Sequence, residues 1–355
     1  MEISTFTQIL EIAFEKRVSD IHFEVDNPPI FRARGHLIRS KLSNLTNKDT
    51  EFIASAVMEQ HNRKLPEDLK EFDTSYTLPN VGRFRVSVFR QRGNVGLVMR
   101  VIPHHIGTFE ELNLPPVLGN ITKAPNGLIL VCGPTGNGKS TTLASMIRHI
   151  NDNFNYSVVT IEDPIEFIFH SNKSCVIQRE VGIDTEGFGG ALKAAMRMDP
   201  DVIMVGEMRD LETIDACIKA AETGHLVLST LHTHNAASTI SRIVGYFPSP
   251  VQESVRHRLA EILVATISLR LVRGKSGEIV LPAMEVMHAT STIKACIRDG
   301  HLDEIEQYVE KGRDEYHMQT LDQHLIQLCR QDIITLDEAK RISRSTDLER
   351  KLIYS

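Results

Sequence analysis

Residues 7–16 set Ile9, Leu10, Ile12 and Ala13 among charged neighbours at a spacing that predicts a helix. Ser19-Asp20-Ile21-His22-Phe23 then reads as a turn into a strand. Residues 83–90 alternate strictly, which predicts a strand with Phe84, Val86 and Val88 on one side and Arg83 and Arg85 on the other. From residue 127 the texture changes. The runs 127–132, 157–161, 202–206 and 225–230 are apolar at nearly every position, as strands covered on both faces are. Helical segments separate them, so the pattern predicts an α/β fold built on a parallel sheet with helices on both sides. Residues 292–355 return to a charged, helical texture.

Pro103, Gly107, Pro115, Pro116, Gly119 and Pro125 crowd the stretch between these two textures. The expected organisation is therefore a small α/β domain over 1–103, a linker over 104–126, an α/β core over 127–291 and a helical C-terminal region over 292–355. There is no internal repeat and no low-complexity segment.

Composition narrows the function by exclusion. The 355 residues hold 40 Lys and Arg against 46 Asp and Glu, a formal charge of −6, without the basic footprint of a dedicated nucleic-acid binder. The 5 cysteines (Cys132, Cys175, Cys217, Cys296, Cys329) stand singly, which fits reduced thiols and leaves no sulfur-rich zinc site. Met1-Glu2-Ile3 opens no basic, then apolar, secretory leader, and no stretch approaches the roughly 20 apolar residues of a membrane span. The expectation is a cytoplasmic chain that reaches a membrane only through a partner.

The chemistry is carried by Gly133-Pro134-Thr135-Gly136-Asn137-Gly138-Lys139-Ser140-Thr141, a phosphate loop fed by an apolar run and followed by Leu143, Met146, Ile147 and Ile150 at helical spacing. Glycines let backbone N–H groups close around phosphates, and the following helix start favours negative charge. Lys139 is expected to reach the β- and γ-phosphates of ATP, and the Ser140 hydroxyl to ligate Mg²⁺. Glu162, Asp163 and Glu166 follow the next predicted strand, at the strand end where such sheets bind ligands, and Glu166 is the expected carboxylate support for the magnesium. In the run 201–207, Gly206 closes the apolar stretch and Glu207 follows it, suited to orient or deprotonate an attacking water. His225 and His232 bracket one strand; His232, at its C-terminal end, is the stronger candidate for sensing the γ-phosphate. Arg83 and Arg85 either face solvent or donate a charge across a subunit boundary to a neighbour's ATP. Arg197 and Arg209 are candidates within the core itself, and Arg92 and Arg100 are weaker ones in the N-terminal domain.

Together these segments resemble the secretion ATPases that drive type IV pili, and among them the retraction ATPases. The carrying stretches are 133–142, 160–167, 199–214 and 221–233, similar to the family's Walker A, Asp box, atypical Walker B and His box; 19–24 and 82–93 are similar to its N-terminal domain. The resemblance implies a PAS-like N-terminal domain, a RecA-like P-loop ATPase domain and a homohexameric ring. It implies nucleotide between the domains, N-terminal arginines approaching it, and an inner-membrane platform protein as partner at the pilus base. The implied output is ATP hydrolysis that powers pilus retraction and twitching motility. The longer N-terminus and zinc-binding tetracysteine of the extension ATPases are missing. Thr292-Ile293-Lys294-Ala295-Cys296-Ile297-Arg298 stands where retraction ATPases carry Ala-Ile-Arg-Asn-Leu-Ile-Arg. The competing readings are an accessory pilus ATPase and a RecA-like nucleic-acid translocase, the latter disfavoured by the acidic balance.

Overall fold

The computed structural model describes every residue except Glu67, His104, Glu278, Thr346 and Ser355, and the side chain of Tyr354. The chain divides into two units: Met1–His105 with Asp163–Ile168 and Glu180–Asp184, and Ile106–Glu162 with Phe169–Arg179 and Thr185–Ser355.

The first unit is a six-stranded sheet in the order β3-β2-β1-β6-β5-β4. Its strands are β1 (Asp20–Phe23), β2 (Ile30–Ala33), β3 (His36–Arg39), β4 (Glu71–Leu78), β5 (Gly82–Gln91) and β6 (Asn94–Val101). Every pairing between neighbours is antiparallel. The helices Ile3–Glu15 and Asn47–Glu59 supply the other half of its core. Thr46 starts the second helix as a capping box: its hydroxyl accepts from Asp49 N–H, and the Asp49 carboxylate accepts from Thr46 N–H at 2.8 Å. Phe6, Leu10, Ile53 and Val57 are fully buried with Phe84, Val86 and Val88, the apolar side of the alternation in β5. The polar side of β5 is left to Arg83 and Arg85, both half-buried.

The second unit holds a seven-stranded sheet in the order β13-β12-β7-β11-β10-β8-β9. These strands are β7 (Gly127–Cys132), β8 (Ser157–Glu162), β9 (Cys175–Glu180), β10 (Val202–Val205), β11 (Leu226–Leu231), β12 (Leu263–Arg273) and β13 (Val280–His288). β12, β7, β11, β10 and β8 run parallel to one another. Every residue of β7, β10 and β11 is buried, which is what strands covered on both faces require. The sheet departs from the all-parallel expectation at one edge. There β13 turns back antiparallel along β12, because Gly274 to Gly277 close a tight hairpin instead of a helical crossover.

Burial in two segments goes beyond what composition discloses. Residues 106–126 are packed rather than spacer-like: Ile106, Phe109, Leu114, Leu118 and Ile121 are buried, and Ser145 Oγ donates to the Gly107 carbonyl at 2.8 Å. The prolines there start the short helix Val117–Ile121. The C-terminal helices are likewise core elements. Leu321, Leu325, Ile334, Ala339 and Leu348 bury against Val272, Leu281 and Ala283 of the β12–β13 hairpin. Among the described residues no helix is long and apolar enough to cross a membrane.

His324, in the helix Leu321–Arg330, accepts from Met284 N–H through Nδ1 at 2.9 Å, and burial lowers its pKa from 6.5 to about 4. A histidine held neutral in the fold but free to charge when unfolded makes the unfolded state bind more protons, so stability falls as pH drops from 6.5 towards about 4. Urea-unfolding midpoints at pH 7 and pH 5 are expected to differ less in His324→Asn than in the parent chain. An equal difference in both proteins would show that His324 contributes nothing to the acid sensitivity.

Candidate active site

β7 delivers its last residue, Cys132, into the loop 133–138 and the helix Lys139–Asn153. Gly133 has φ +147°, and a Cβ there would stand 2.6 Å from the Leu269 carbonyl oxygen of β12. Gly138, at the helix N-cap, has φ +85°, a conformation side-chain-bearing residues resist. Asn137 fastens the loop to the same strand, its Oδ1 accepting from Leu271 N–H at 2.9 Å. Ser140 and Thr141 follow in the first helical turn, where backbone N–H groups lack intrahelical acceptors. The Cys132 thiol takes no part in this chemistry: burial pushes its pKa up to about 11, while Thr239 Oγ1 donates to its sulfur at 3.1 Å.

Lys139 is buried, and its ammonium donates to the carbonyls of Gly133 at 3.0 Å and Pro134 at 3.1 Å. It also stands 3.4 Å from His232 Nδ1. An ammonium can only donate, so Nδ1 is the acceptor and the ring proton lies on Nε2. Nε2 is 3.4 Å from Glu207 Oε2, to which it donates, and Thr135 Oγ1 is 3.3 Å from Nδ1. Arg209 pairs with the other oxygen of Glu207. The turn carrying Glu207 is fixed by Thr230 Oγ1, which donates to the Gly206 carbonyl at 2.7 Å, and by Met208 N–H, which donates to the Thr230 carbonyl at 3.1 Å. Lys139, His232 and Glu207 thus form a continuous polar string across the carboxyl ends of β7, β11 and β10. Glu162 closes β8 on the same edge, buried, its Oε1 accepting from Thr160 Oγ1 at 2.7 Å and Gln178 Nε2 at 3.0 Å.

Other candidates fall elsewhere. His225 precedes β11 at its amino end, and its Nδ1 is 2.9 Å from the Ala220 carbonyl; it caps the helix Leu211–Glu222 rather than facing the loop. A six-residue strand separates it from the string, a span of about 20 Å. Arg197 is exposed after the helix Phe188–Ala195, likewise before the amino end of β10. Arg209, by contrast, reaches the site through its pair with Glu207.

Asp163 and Glu166 belong to the first unit and are exposed. In that unit Arg83 is committed: its Nη2 donates to Ser75 Oγ at 2.7 Å and to Glu180 Oε2 at 2.7 Å. Sequence reading missed Glu180, which is 2% exposed; no local pattern marks a partner 97 positions away. The Arg85 side chain makes no hydrogen bond or ion pair among the described residues, and with Arg63, Asp163 and Glu180 it lines a cavity of about 130 Å³ inside the first unit. Arg100 pairs with Asp20 at 2.9 Å, and Arg92 sits at the turn between β5 and β6.

Gly133→Ala is expected to abolish nucleotide binding and lower the thermal midpoint, because the added Cβ meets backbone of β12 rather than a side chain that can move aside. Fluorescent-nucleotide titration together with a melting curve checks both; wild-type affinity in a folded variant would refute the close approach.

Known proteins share this sequence and fold over nearly the whole chain. Residues 2–349 match the family model described as type II/IV secretion system protein. The chain is 42% identical over 334 residues to a Pseudomonas aeruginosa protein described as the type IV pilus retractation ATPase PilT, covering 94% of this chain and 96% of that one. It is 38% identical to the type IV pilus ATPase PilU of the same organism, covering 94% and 87%. A crystal structure of a pilus retraction motor PilT with bound ADP superposes with a TM-score of 0.89 at 44% identity, covering 99% of each chain. With the phosphate loop, Glu207 and His232 on one sheet edge, and a family match over nearly its whole length, the chain belongs to the type II/IV secretion system protein family.

Proposed function

We propose that this chain is an ATP-hydrolysing motor that powers type IV pilus retraction, working as a homohexamer in the cytoplasm against an inner-membrane platform protein. The observation that carries the hydrolytic reading is the string Lys139–His232–Glu207, which sets a cation, a proton donor and a carboxylate in contact at the strand ends beside a phosphate loop. The greater identity to the retraction ATPase PilT, 42%, than to PilU, 38%, supports retraction over an accessory role. The altered segment 292–298 does not disturb the fold: it lies in the helix Ser291–Asp299, where Lys294 Nζ donates to the Glu261 carbonyl at 3.0 Å.

Each residue then has a task. Lys139 leaves the loop carbonyls for the β- and γ-phosphates, and Gly136, Gly138 and the first helical N–H groups surround them. Glu207 accepts the proton of the attacking water, its carboxylate oriented by His232 and Arg209. His232 loses its Lys139 contact when phosphate arrives and so registers the γ-phosphate. Oxygen donors at the site suit Mg²⁺: the Ser140 hydroxyl would hold it, with Glu162 as support through water, and the ion would neutralise phosphate charge. Arg85, uncommitted within its own unit, is the residue that reaches a neighbouring subunit's ATP.

Lys139→Ala is expected to lose nucleotide binding, whereas Glu207→Ala is expected to bind ATP with turnover lower by about 10²- to 10⁴-fold. Calorimetric titration and phosphate release separate the two outcomes, and unchanged turnover in Glu207→Ala would move the base to Glu166. Mixing Arg85→Ala with Lys139→Ala subunits should restore part of the turnover that each lacks. Failure to do so at every ratio would remove the trans role. In cells, loss of the chain is expected to leave them hyperpiliated and non-motile, reversed by the wild type and not by Glu207→Ala.

A further inference from the structure

The segment after β11 has two duties: it carries His232 into the site and begins the helix Ala236–Gly245. Residues from far along the chain hold it in place. Ala236 N–H donates at 2.8 Å to Oε1 of Glu285, a carboxylate inside β13 that is 4% exposed. Arg344 Nη1 donates to the other oxygen of Glu285 at 3.2 Å, and Arg344 Nη2 donates to the His234 carbonyl. Arg270 Nη2 donates to His234 Nδ1 at 3.0 Å from β12, the strand that also touches the phosphate loop through Leu269 and Leu271. Burial raises the Glu285 pKa while the Arg344 charge opposes that rise, so the pair is mutually dependent.

Arg344 lies between the helices Leu336–Ile342 and Leu348–Tyr354, in a short strap fixed by Ser343 Oγ, which donates to Asp322 Oδ1 at 2.8 Å. An arginine needed only to neutralise Glu285 has no reason to place its second nitrogen on a backbone carbonyl two residues from His232. The His232 contacts to Lys139 and Glu207 are both 3.4 Å, so a small displacement of the loop breaks them. We infer that Arg344 is a positioning residue for ATP hydrolysis: through Glu285 and the His234 carbonyl, the C-terminal strap sets where His232 stands between Lys139 and Glu207. This rests on the assignment of His232 to the hydrolytic site made above.

A double-mutant cycle on the full-length chain tests it, using wild type, Arg344→Ala, His232→Ala and the double variant. Arg344→Ala is expected to lower kcat about tenfold, within the range for a group misplaced by an ångström or less, with fluorescent-ADP affinity unchanged. The double variant is expected to be no slower than His232→Ala alone, since Arg344 acts only through that ring. Histidine ring-proton NMR of the nucleotide-free protein should show the His232 signal moved in Arg344→Ala. Arg344→Lys keeps a charge beside Glu285 but has one nitrogen for two acceptors; it should fall between wild type and Arg344→Ala, and it carries the test should the alanine variant not fold. Unchanged kcat in Arg344→Ala, or the same loss with and without His232, overturns the inference while leaving the site intact. Wild-type turnover in His232→Ala would instead bring down the site assignment, and this inference with it.

Discussion

The ladder β7–β11–β10 decides where chemistry can occur. Each of its positions is buried, so a charge inside it would have no solvent and no partner. The two hydroxyls it admits, Ser229 and Thr230, are absorbed by the carbonyls of Val205 and Gly206 at 2.8 and 2.7 Å. Charged groups can emerge only where the strands stop. Cys132 pairs with Leu231 and Val205 with Ser229, so the three strands stop almost level. Neighbouring strands lie about 4.8 Å apart, which brings the next residues of all three within reach of one another. His232 leaves the middle strand, and for that reason it touches Lys139 on one side and Glu207 on the other.

That edge is only as well placed as the elements that pin its loops, and these come from late in the chain. Asn137 is held by Leu271, Ala236 by Glu285 and the His234 carbonyl by Arg344. The β12–β13 hairpin and the C-terminal helices share one buried cluster, with Val272, Leu325 and Ala339 at its centre. The loop after β11 is thus tied, through Glu285 and Arg344, to elements that share this cluster, so the segment from Leu263 onward belongs to the second unit in contacts as well as in position.

These facts separate what the sequence could disclose from what it could not. Four buried strands, the phosphate loop and Glu207 were legible because uniform apolar runs and glycine spacing are local signals. Of the two histidines around β11, the expected strand direction already favoured His232, and the sheet puts it at the edge with the phosphate loop while His225 caps a helix at the other end. Residues 104–126 looked like a linker because prolines and glycines dominate the eye, while Phe109, Leu118 and Ile121 bury. The antiparallel β13, the Arg83–Glu180 pair and the Asn137 clamp had no signature at all, since each joins distant positions whose partnership is visible only after folding.

Arg83 and Arg85 show how a fold can divide labour between two side chains that the sequence presents as twins. They lie two apart on one face of β5, opposite Thr77 and Ser75 of β4. Arg83 reaches diagonally to Ser75 Oγ and takes Glu180, which also accepts from Ile165 N–H at 3.2 Å. Glu180 is almost wholly buried, with one oxygen already shared between those two donors, and it makes no pair with Arg85. Arg83 is thereby a structural tie that binds the Asp163–Ile168 and Glu180–Asp184 segments into the first unit. Arg85, half-buried beside a small cavity that Asp163 and Glu180 also line, makes no side-chain hydrogen bond or ion pair among the described residues. An arginine already neutralised would have to break a buried ion pair before it could act, and such pairs are costly to break from one side.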